Sequence, residues 1–291
     1  MATQVILLGT GTPNACPDAS GPATAIIVNN KPYLFDCGPG IIRQATKAYR
    51  KGIKALSPKN LKTLFITHLH SDHTAGLSDF IFTPWVLERD EPMQIYGPKG
   101  TQEMYDHLVE AYKIDIDFRI HGFEKANEQG FLANIHTIQD GLIYQDENIQ
   151  VEAFTVSHGT LECYGFKIVT KDKTIVLSGD TCPLEIMKEK AKNVDILIHE
   201  VFYSEGLKQR TPQWQKYHQS VHTSSYDLAK IAKAAHPKLL VTYHRIYHFD
   251  MYNDDLDIDQ EVKKRSEAIL TEIKSIYDGE VVNGQDLDIF E

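Results

Sequence analysis

The residues best suited to chemistry form one short stretch in the first third of the chain, Thr67-His68-Leu69-His70-Ser71-Asp72-His73. Three imidazoles and a carboxylate fall within six positions, directly after the apolar run Leu64-Phe65-Ile66, which is typical of a buried strand. Because side chains alternate along a strand, we expect His68 and His70 to point the same way from its end. The carboxylate and the last histidine then lie in the following turn, so that one turn can serve two metal ions.

An exposed polar loop with tag-like histidines is the alternative interpretation, and the position of the stretch in mid-chain behind an apolar strand disfavours it. Three more residues of the same kind stand where predicted strands end, namely His158, Asp180 and His244. Imidazole and carboxylate are ligands for zinc, manganese or iron, and the absence of cysteine from the set argues against a closed structural zinc site.

The elements that must position these residues follow from the apolar patterns of the chain. Strands are predicted at residues 5–8, 23–28, 33–35, 61–66, 93–96, 151–156, 164–170, 174–177, 195–198 and 239–242, with a short strand pair near the end. Helices are predicted at 41–50, at 101–112 with Thr101 as the cap, at 224–235 and at about 259–276. Residues 116–150 are ambiguous, and residues 201–221 are predicted to be irregular. This order favours two packed sheets with helices outside, in a single domain over residues 1–291.

Composition limits the class of protein and its partners. The 42% hydrophobic and 24% charged content is that of an ordinary globular protein, and no apolar run approaches the ~20 residues of a membrane span. The four scattered cysteines, and a start without a basic and apolar leader, favour the cytoplasm. With a formal charge of −10 and no run of basic residues, we do not expect nucleic acid as a partner.

The order and spacing of these motifs resemble the metallo-β-lactamase superfamily, in the branch that contains tRNase Z. In both, the histidine motif is followed by a later lone histidine, a Gly-Asp-Thr and a final histidine. Further marks of the branch are Leu8-Gly9-Thr10-Gly11-Thr12-Pro13, Ser178-Gly179-Asp180-Thr181, His199-Glu200-Val201-Phe202 and His222-Thr223-Ser224. Together these marks extend over most of the chain.

This resemblance implies the α/β fold of the superfamily, a four-layer αββα sandwich, with two divalent ions, zinc first and manganese or iron as alternatives. It implies that the first ion is held by His68, His70, His158 and Asp180, and the second by Asp72, His73, Asp180 and His244. A metal can lower the pKa of a bound water from about 15.7 to about 7, so a water shared by both ions yields the attacking hydroxide.

Catalytic roles are implied for three residues. Asp72 is positioned to orient the water or to accept its proton. His222 is the candidate to contact charge that develops on the substrate, or to protonate the leaving group. A hydrogen bond that Glu200 accepts from His222 would hold His222 in place, although from the residues alone Glu200 is equally a buried ion-pair partner. His199 is assigned a structural role.

One departure from the branch bears on the substrate. Its tRNA-processing members carry a long glycine- and lysine-rich arm, often after the segment matching Tyr164-Gly165-Phe166, whereas residues 167–174 here predict a simple hairpin. We therefore expect a hydrolase that cleaves a phosphodiester, sulfate ester or similar anionic ester of a small molecule, as arylsulfatase-like and cyclic-nucleotide phosphodiesterase relatives do. The first alternative is a tRNase Z-like endoribonuclease that binds RNA through another surface. The second is a non-catalytic metal-binding or sensing protein, against which the presence of both His222 and Glu200 argues.

The remaining candidates have simpler interpretations. Six histidines are expected to be ordinary surface or core residues: His107, His121, His136, His218, His236 and His248. Trp214 and Tyr217 either cover the site or pack a loop. A homodimer is implied by the resemblance alone.

Overall fold

The computed structural model describes residues 2–291, which form two compact units. Unit 1 comprises the chain up to Gly9 together with Pro17–Gln139 and Asp286–Glu291, and unit 2 comprises Thr10–Cys16 and Asp140–Gln285. Each unit contains one seven-stranded sheet. The single domain predicted for residues 1–291 stays a prediction.

The strands and helices are numbered separately along the chain. The strands β1 to β14 are Gln4–Gly9, Ala23–Val28, Lys31–Phe35, Thr63–Phe65, Met93–Gly97, Ala133–Thr137, Gly141–Gln145, Gln150–His158, Leu161–Val169, Thr174–Leu177, Ile196–Phe202, Leu239–Ile246, Val281–Asn283 and Ile289–Phe290. The α-helices α1 to α10 are Ile41–Arg50, Ser71–Thr74, Leu77–Val86, Thr101–Ala111, Lys113–His121, Glu185–Lys190, Ser204–Leu207, Pro212–Val221, Ser225–Ala235 and Ile258–Lys274.

The sheet of unit 1 has the strand order β14-β1-β2-β3-β4-β5-β6. Its pairs are antiparallel from β14 to β3 and parallel from β3 to β6. Phe35 of β3 pairs with Phe65 of β4, so both strands end at the same edge of the sheet. Asp36 and the histidine stretch are the segments that leave the sheet at this edge. The parallel pairing therefore brings together residues that are about thirty positions apart in the chain.

The sheet of unit 2 has the strand order β13-β12-β11-β10-β9-β8-β7. Its pairs are parallel from β10 to β13 and antiparallel from β7 to β10. Since β9 is antiparallel to both of its neighbours, β8 and β10 run in the same direction. His158 at the end of β8, Asp180 just after β10, Glu200 in β11 and His244 in β12 therefore collect at one edge of this sheet.

Helix α1 shows how well the apolar spacing predicts a helix. Its bounds are those predicted, and Ile41, Ile42, Ala45 and Ala48 are buried in the core of unit 1. Burial of these side chains stabilises the helix against the sheet by roughly 25 cal/mol per Å² of apolar surface.

Several predictions about local structure were wrong. Strand β4 ends at Phe65, so His68 and His70 lie in a loop beyond the strand, and helix α2 holds the last two ligand-type residues of the stretch. Residues 201–221 are not irregular, because they contain the end of β11 and helices α7 and α8. The last two strands do not pair with each other: β13 pairs with β12, and β14 pairs with β1. Thr101 does not cap helix α4, because its hydroxyl donates to the carbonyl of Pro98.

Two further features concern the helices and the cysteines. Among residues 2–291, no helix has the length and apolar character needed to cross a membrane. The four cysteines are free thiols.

Candidate metal centre

Unit 1 holds the histidine cluster, which we define as His68, His70, Asp72 and His73. Nε2 of His68 lies 3.1 Å from Nδ1 of His70. Nε2 of His73 lies 3.5 Å from Oδ2 of Asp72, and both of these side chains are buried. Two imidazole nitrogens converge at one point and an imidazole and a carboxylate converge at another, which is the arrangement that nitrogen and oxygen ligands adopt around cations.

Asp36, which no local sequence pattern indicates, orients two members of this cluster. Its Oδ2 lies 2.9 Å from Nδ1 of His73, and its Oδ1 accepts the backbone N–H of Thr67 at 2.8 Å. The hydroxyl of Thr67 donates to Asp36 and therefore accepts from Nδ1–H of His68 at 2.9 Å. Both histidines thus carry their proton on Nδ1 and present the lone pair of Nε2.

The backbone conformation of Asp36 is the local feature that marks its role in orienting the histidines. Asp36 has φ of +60°, in the left-handed region that residues other than glycine adopt at a cost. Its partners are 31 and 37 positions away, and they reach it because β3 and β4 are parallel neighbours.

Replacing Asp36 with alanine is expected to weaken divalent-ion binding by about 10- to 100-fold, since an outer hydrogen-bond partner of a metal ligand typically has an effect of this size. The measurement is zinc affinity by competition with a chelating dye. Asp106→Ala removes an exposed carboxylate of the same unit and is the matched control. Equal affinities for the wild-type protein and the Asp36→Ala variant would contradict this role.

Unit 2 holds the Asp180 cluster, which we define as His158, Asp180, Glu200, His222 and His244. All five are buried, with at most 7% of each residue exposed. Oδ2 of Asp180 lies 3.5 Å from Nε2 of His244, 3.9 Å from Nε2 of His158 and 3.9 Å from Nδ1 of His222. One carboxylate oxygen thus faces three imidazoles.

His158 is held with its proton on Nδ1. Its Nδ1 donates to the carbonyl of Val221, the last residue of helix α8, at 2.8 Å, which leaves the lone pair on Nε2. Burial lowers the pKa of His158 below its usual value, although the charge of Asp180 acts in the opposite direction. A neutral imidazole is the form that binds a metal ion.

Glu200 and His222 form the hydrogen-bonded pair that the family resemblance implied. Oε1 of Glu200 lies 3.1 Å from Nδ1 of His222, and it also accepts the backbone N–H groups of Thr181 and Thr223 at 3.1 Å each. Since a carboxylate only accepts hydrogen bonds, Nδ1 of His222 carries the proton, and Nε2 is the basic nitrogen of the ring.

His244 occupies an irregular position in its strand. The register of β11 and β12 shifts after Glu200, which pairs with Tyr243, while Val201 pairs with Arg245, so His244 is the extra residue of a bulge. Its φ is +44°, and its backbone N–H donates to the carbonyl of Thr10 at 3.0 Å. Bulges re-aim side chains next to functional sites, and here the glycine-flanked Thr10 fixes the strained backbone.

Two histidines assigned as ordinary residues extend the Asp180 cluster. The ring of His218 stacks on that of His222 with centroids 5.7 Å apart, and it contacts His248 at 4.5 Å. Burial lowers the pKa of His218 to about 4 and that of His248 to about 3, and the neighbouring charges add to both shifts. Trp214, half exposed on α8, stacks on His218 at 5.6 Å. The stacked rings of Trp214 and His218 on helix α8 thus extend from the surface to His222.

The donor atoms in both units fit divalent ions. The ligand atoms of Asp180, His222 and His244 lie within 4.8 Å of one another, and all three residues are buried. Histidine nitrogens whose partner nitrogens are held by carboxylate, hydroxyl or carbonyl oxygens are typical of metal ligands. Imidazole with carboxylate suits zinc, manganese and iron alike.

A comparison of the sequence with family models finds a match over residues 32–245 to the β-lactamase superfamily domain. The chain belongs to the metallo-β-lactamase superfamily. The curated relatives of this superfamily member include ribonuclease Z of Mycobacterium marinum, 30% identical over 249 residues, which are 83% of this chain and 86% of that protein. Ribonuclease Z of Mycobacterium bovis BCG is 30% identical over 248 residues, with 84% and 86% covered.

Solved structures agree on the fold. The metallo-β-lactamase fold protein YhfI from Bacillus subtilis matches all of both chains with a TM-score of 0.73 and 17% identity. The short form of human tRNase Z matches with a TM-score of 0.70 and 23% identity, covering 99% of this chain and 98% of its own. These likenesses confirm the predicted α/β fold class. The predicted family is confirmed by the family model that matches residues 32–245.

Proposed function

We propose that this protein is a hydrolase that uses two divalent ions to cleave a phosphodiester, sulfate ester or similar anionic ester of a small molecule. The observation that carries the proposal is the buried His222–Glu200 hydrogen bond beside Asp180. A purely structural metal site has no need of a buried imidazole that a buried carboxylate orients. The proposal of a non-catalytic sensor does not account for this pair.

We assign the ligands as the family resemblance implies. The first ion takes His68, His70, His158 and Asp180, and the second takes Asp72, His73, Asp180 and His244. The Nε2 lone pairs of His68, His73 and His158 support this assignment. Zinc is the expected ion, with manganese or iron as alternatives.

When bound, the ions supply Lewis acidity and a nucleophilic water of lowered pKa. The chain supplies the rest: Asp72, buried at the histidine cluster, is the group to orient the attacking water or accept its proton. As the imidazolium, with a proton on each ring nitrogen, His222 would donate a hydrogen bond or a proton from Nε2 to the departing oxygen and return to the neutral form, and Glu200 stabilises the charged imidazolium before the transfer.

A second candidate is a ribonuclease Z-like endoribonuclease. It is favoured by curated relatives of that name at 30% identity over more than four fifths of the chain. Against it, β9 and β10 are joined by a turn of four residues, so this connection carries no inserted arm of the kind that tRNA-processing members use.

A substrate panel separates the candidates. Zinc- and manganese-loaded protein is assayed with bis(p-nitrophenyl) phosphate, p-nitrophenyl sulfate and a precursor-tRNA transcript. The first candidate predicts turnover of a small ester and no cleavage of the transcript, and the second predicts a specific cut in the transcript. Loaded protein that hydrolyses none of the three would contradict both. A cytoplasmic location and a homodimer stay predictions.

A further inference from the structure

Helix α8 presents two exposed aromatic side chains close to His222. Trp214 and Tyr217 are 46% and 45% exposed, and their rings meet edge to face with centroids 5.6 Å apart. In this helix, all of whose residues the structure describes, Val221 is the only buried one. The two rings therefore add little to the core of unit 2, and aromatic side chains that cluster on a surface typically mark a binding site. We call Trp214 and Tyr217 the ring pair.

His218 joins the ring pair to the candidate general acid. Trp214, His218 and His222 are spaced four residues apart, so they follow one face of the helix to its end. The ring of His218 is inclined by 28° to that of Trp214 and by 27° to that of His222, with centroids 5.6 and 5.7 Å away. Tyr217 meets the same imidazole at 5.2 Å. A substrate group that extends from His222 along this face would contact rings.

The charges around this row suit an anionic ligand. Burial, followed by the charges of His222 and Arg210, lowers the pKa of His218 to about 4, so His218 is a neutral ring at pH 7. The guanidinium of Arg210 lies over the indole of Trp214 at 5.9 Å, and it forms no ion pair among residues 2–291. Arg210 therefore offers a positive charge at the outer end of the row.

We propose that the ring pair binds the alcohol part of the substrate and that this part contains a planar aromatic ring. The inference rests on the proposed function, because it takes His222 to contact the departing oxygen. The alcohol that carries this oxygen then extends from His222, and the row of rings on α8 leads from His222 to the surface. An aromatic group forms offset or edge contacts with such rings that an alkyl group cannot form. Aryl alcohols and nucleosides both carry such a group, and the test distinguishes them.

The test is the binding of three anionic ligands by the zinc-loaded full chain, with Kd measured by calorimetry. The ligands p-nitrophenylphosphonate and methylphosphonate share the anionic group and differ in the ring, while AMP presents a nucleoside. The ring-pair variant carries Trp214→Ala and Tyr217→Ala together. The matched control carries Phe118→Ala and Phe123→Ala, which remove two exposed aromatic residues of unit 1.

The wild type is expected to bind p-nitrophenylphosphonate at least about fivefold more tightly than methylphosphonate, since each ring contact contributes about two- to twelvefold. The ring-pair variant should lose this preference and bind methylphosphonate as the wild type does, while the control keeps the preference. Tighter binding of AMP than of p-nitrophenylphosphonate would identify the alcohol as a nucleoside, and the reverse order would identify it as an aryl alcohol.

Fluorescence locates the bound ring. The chain has two tryptophans, and Trp85 is 1% exposed in the core of unit 1, so quenching by p-nitrophenylphosphonate reports on Trp214. The Trp214→Phe variant keeps an aromatic ring, and it should keep most of the affinity while the quenching disappears. Retained affinity in this variant separates the loss of a ring contact from a defect in folding.

Hydrolysis of bis(p-nitrophenyl) phosphate is measured in parallel, and the ring-pair variant should raise KM more than it lowers kcat. No binding of p-nitrophenylphosphonate, equal affinity of the wild type for the two phosphonates, or an unchanged preference in the ring-pair variant would overturn the proposal. A ring preference that only the ring-pair variant loses, in a protein that hydrolyses no ester, would refute the proposed function and leave the ring pair standing as a binding site.

Discussion

Replacing Asp180 with asparagine is expected to remove nearly all turnover and to release at least one divalent ion. Its Oδ2 faces the imidazoles of His158, His222 and His244 at 3.5 to 3.9 Å, and it is 2% exposed. Asparagine keeps the shape of the side chain and removes the negative charge that offsets the charge of the ions. Because an outer hydrogen-bond partner already contributes about 10- to 100-fold in metal affinity, a direct ligand should contribute more than about 100-fold.

The measurement is metal content by elemental analysis after dialysis against a zinc buffer, with turnover of bis(p-nitrophenyl) phosphate. Asp180→Ala should behave in the same way. Asp195→Asn is the matched control, because Asp195 accepts the N–H of Thr174 and pairs with Lys238 without touching the Asp180 cluster. Unchanged metal content in Asp180→Asn would refute the assignment of Asp180 as a shared ligand.

Replacing His222 with alanine is expected to lower kcat by about 10²- to 10⁴-fold while both ions stay bound, the range typical of a general acid. Glu200→Gln should lower kcat by about 10- to 100-fold, since the amide weakens the orientation of His222 and places an NH₂ group at Oε2, an atom buried without a hydrogen-bond partner. The double variant should lose little more than His222→Ala does, because the two residues act as one unit.

The dependence of kcat on the leaving group distinguishes proton donation by His222 from a purely structural role of this residue. Phenolate is a poorer leaving group than p-nitrophenolate. The decrease in kcat caused by His222→Ala should therefore be larger for a phenyl ester than for a p-nitrophenyl ester. His107→Ala removes an exposed histidine and is the control for a general effect on folding. Since His222 also lies within 4.8 Å of Asp180 and His244, loss of an ion from His222→Ala would make it a ligand and contradict the assignment above.

Much of the site could be predicted from sequence because its residues follow apolar runs. The stretch from Thr67 to His73 leaves the sheet directly after β4, and Asp180 follows β10 after two residues, so strand ends locate these side chains. Helix α1 was predicted to the residue because its apolar positions repeat at helical spacing. In each case the signal lies within about ten neighbouring positions.

The features that could not be predicted from the sequence depend on pairing between strands that are far apart in the chain. Asp36 acts on His73 only because β3 and β4 are neighbours, and no local pattern indicates that pairing. His244 reaches Asp180 through a bulge, which a strand pattern does not show. Helix α8 was missed because its ten residues are mostly polar, although Thr211 before Pro212 is a typical helix start.

The most direct test of the account is the number of ions that the wild-type chain binds. Protein stripped with a chelator and titrated with zinc should bind two ions per chain by calorimetry, and hydrolysis of bis(p-nitrophenyl) phosphate should return as the sites fill. Stripped protein that binds no zinc in the titration, or that hydrolyses the ester at full rate without metal, would contradict it.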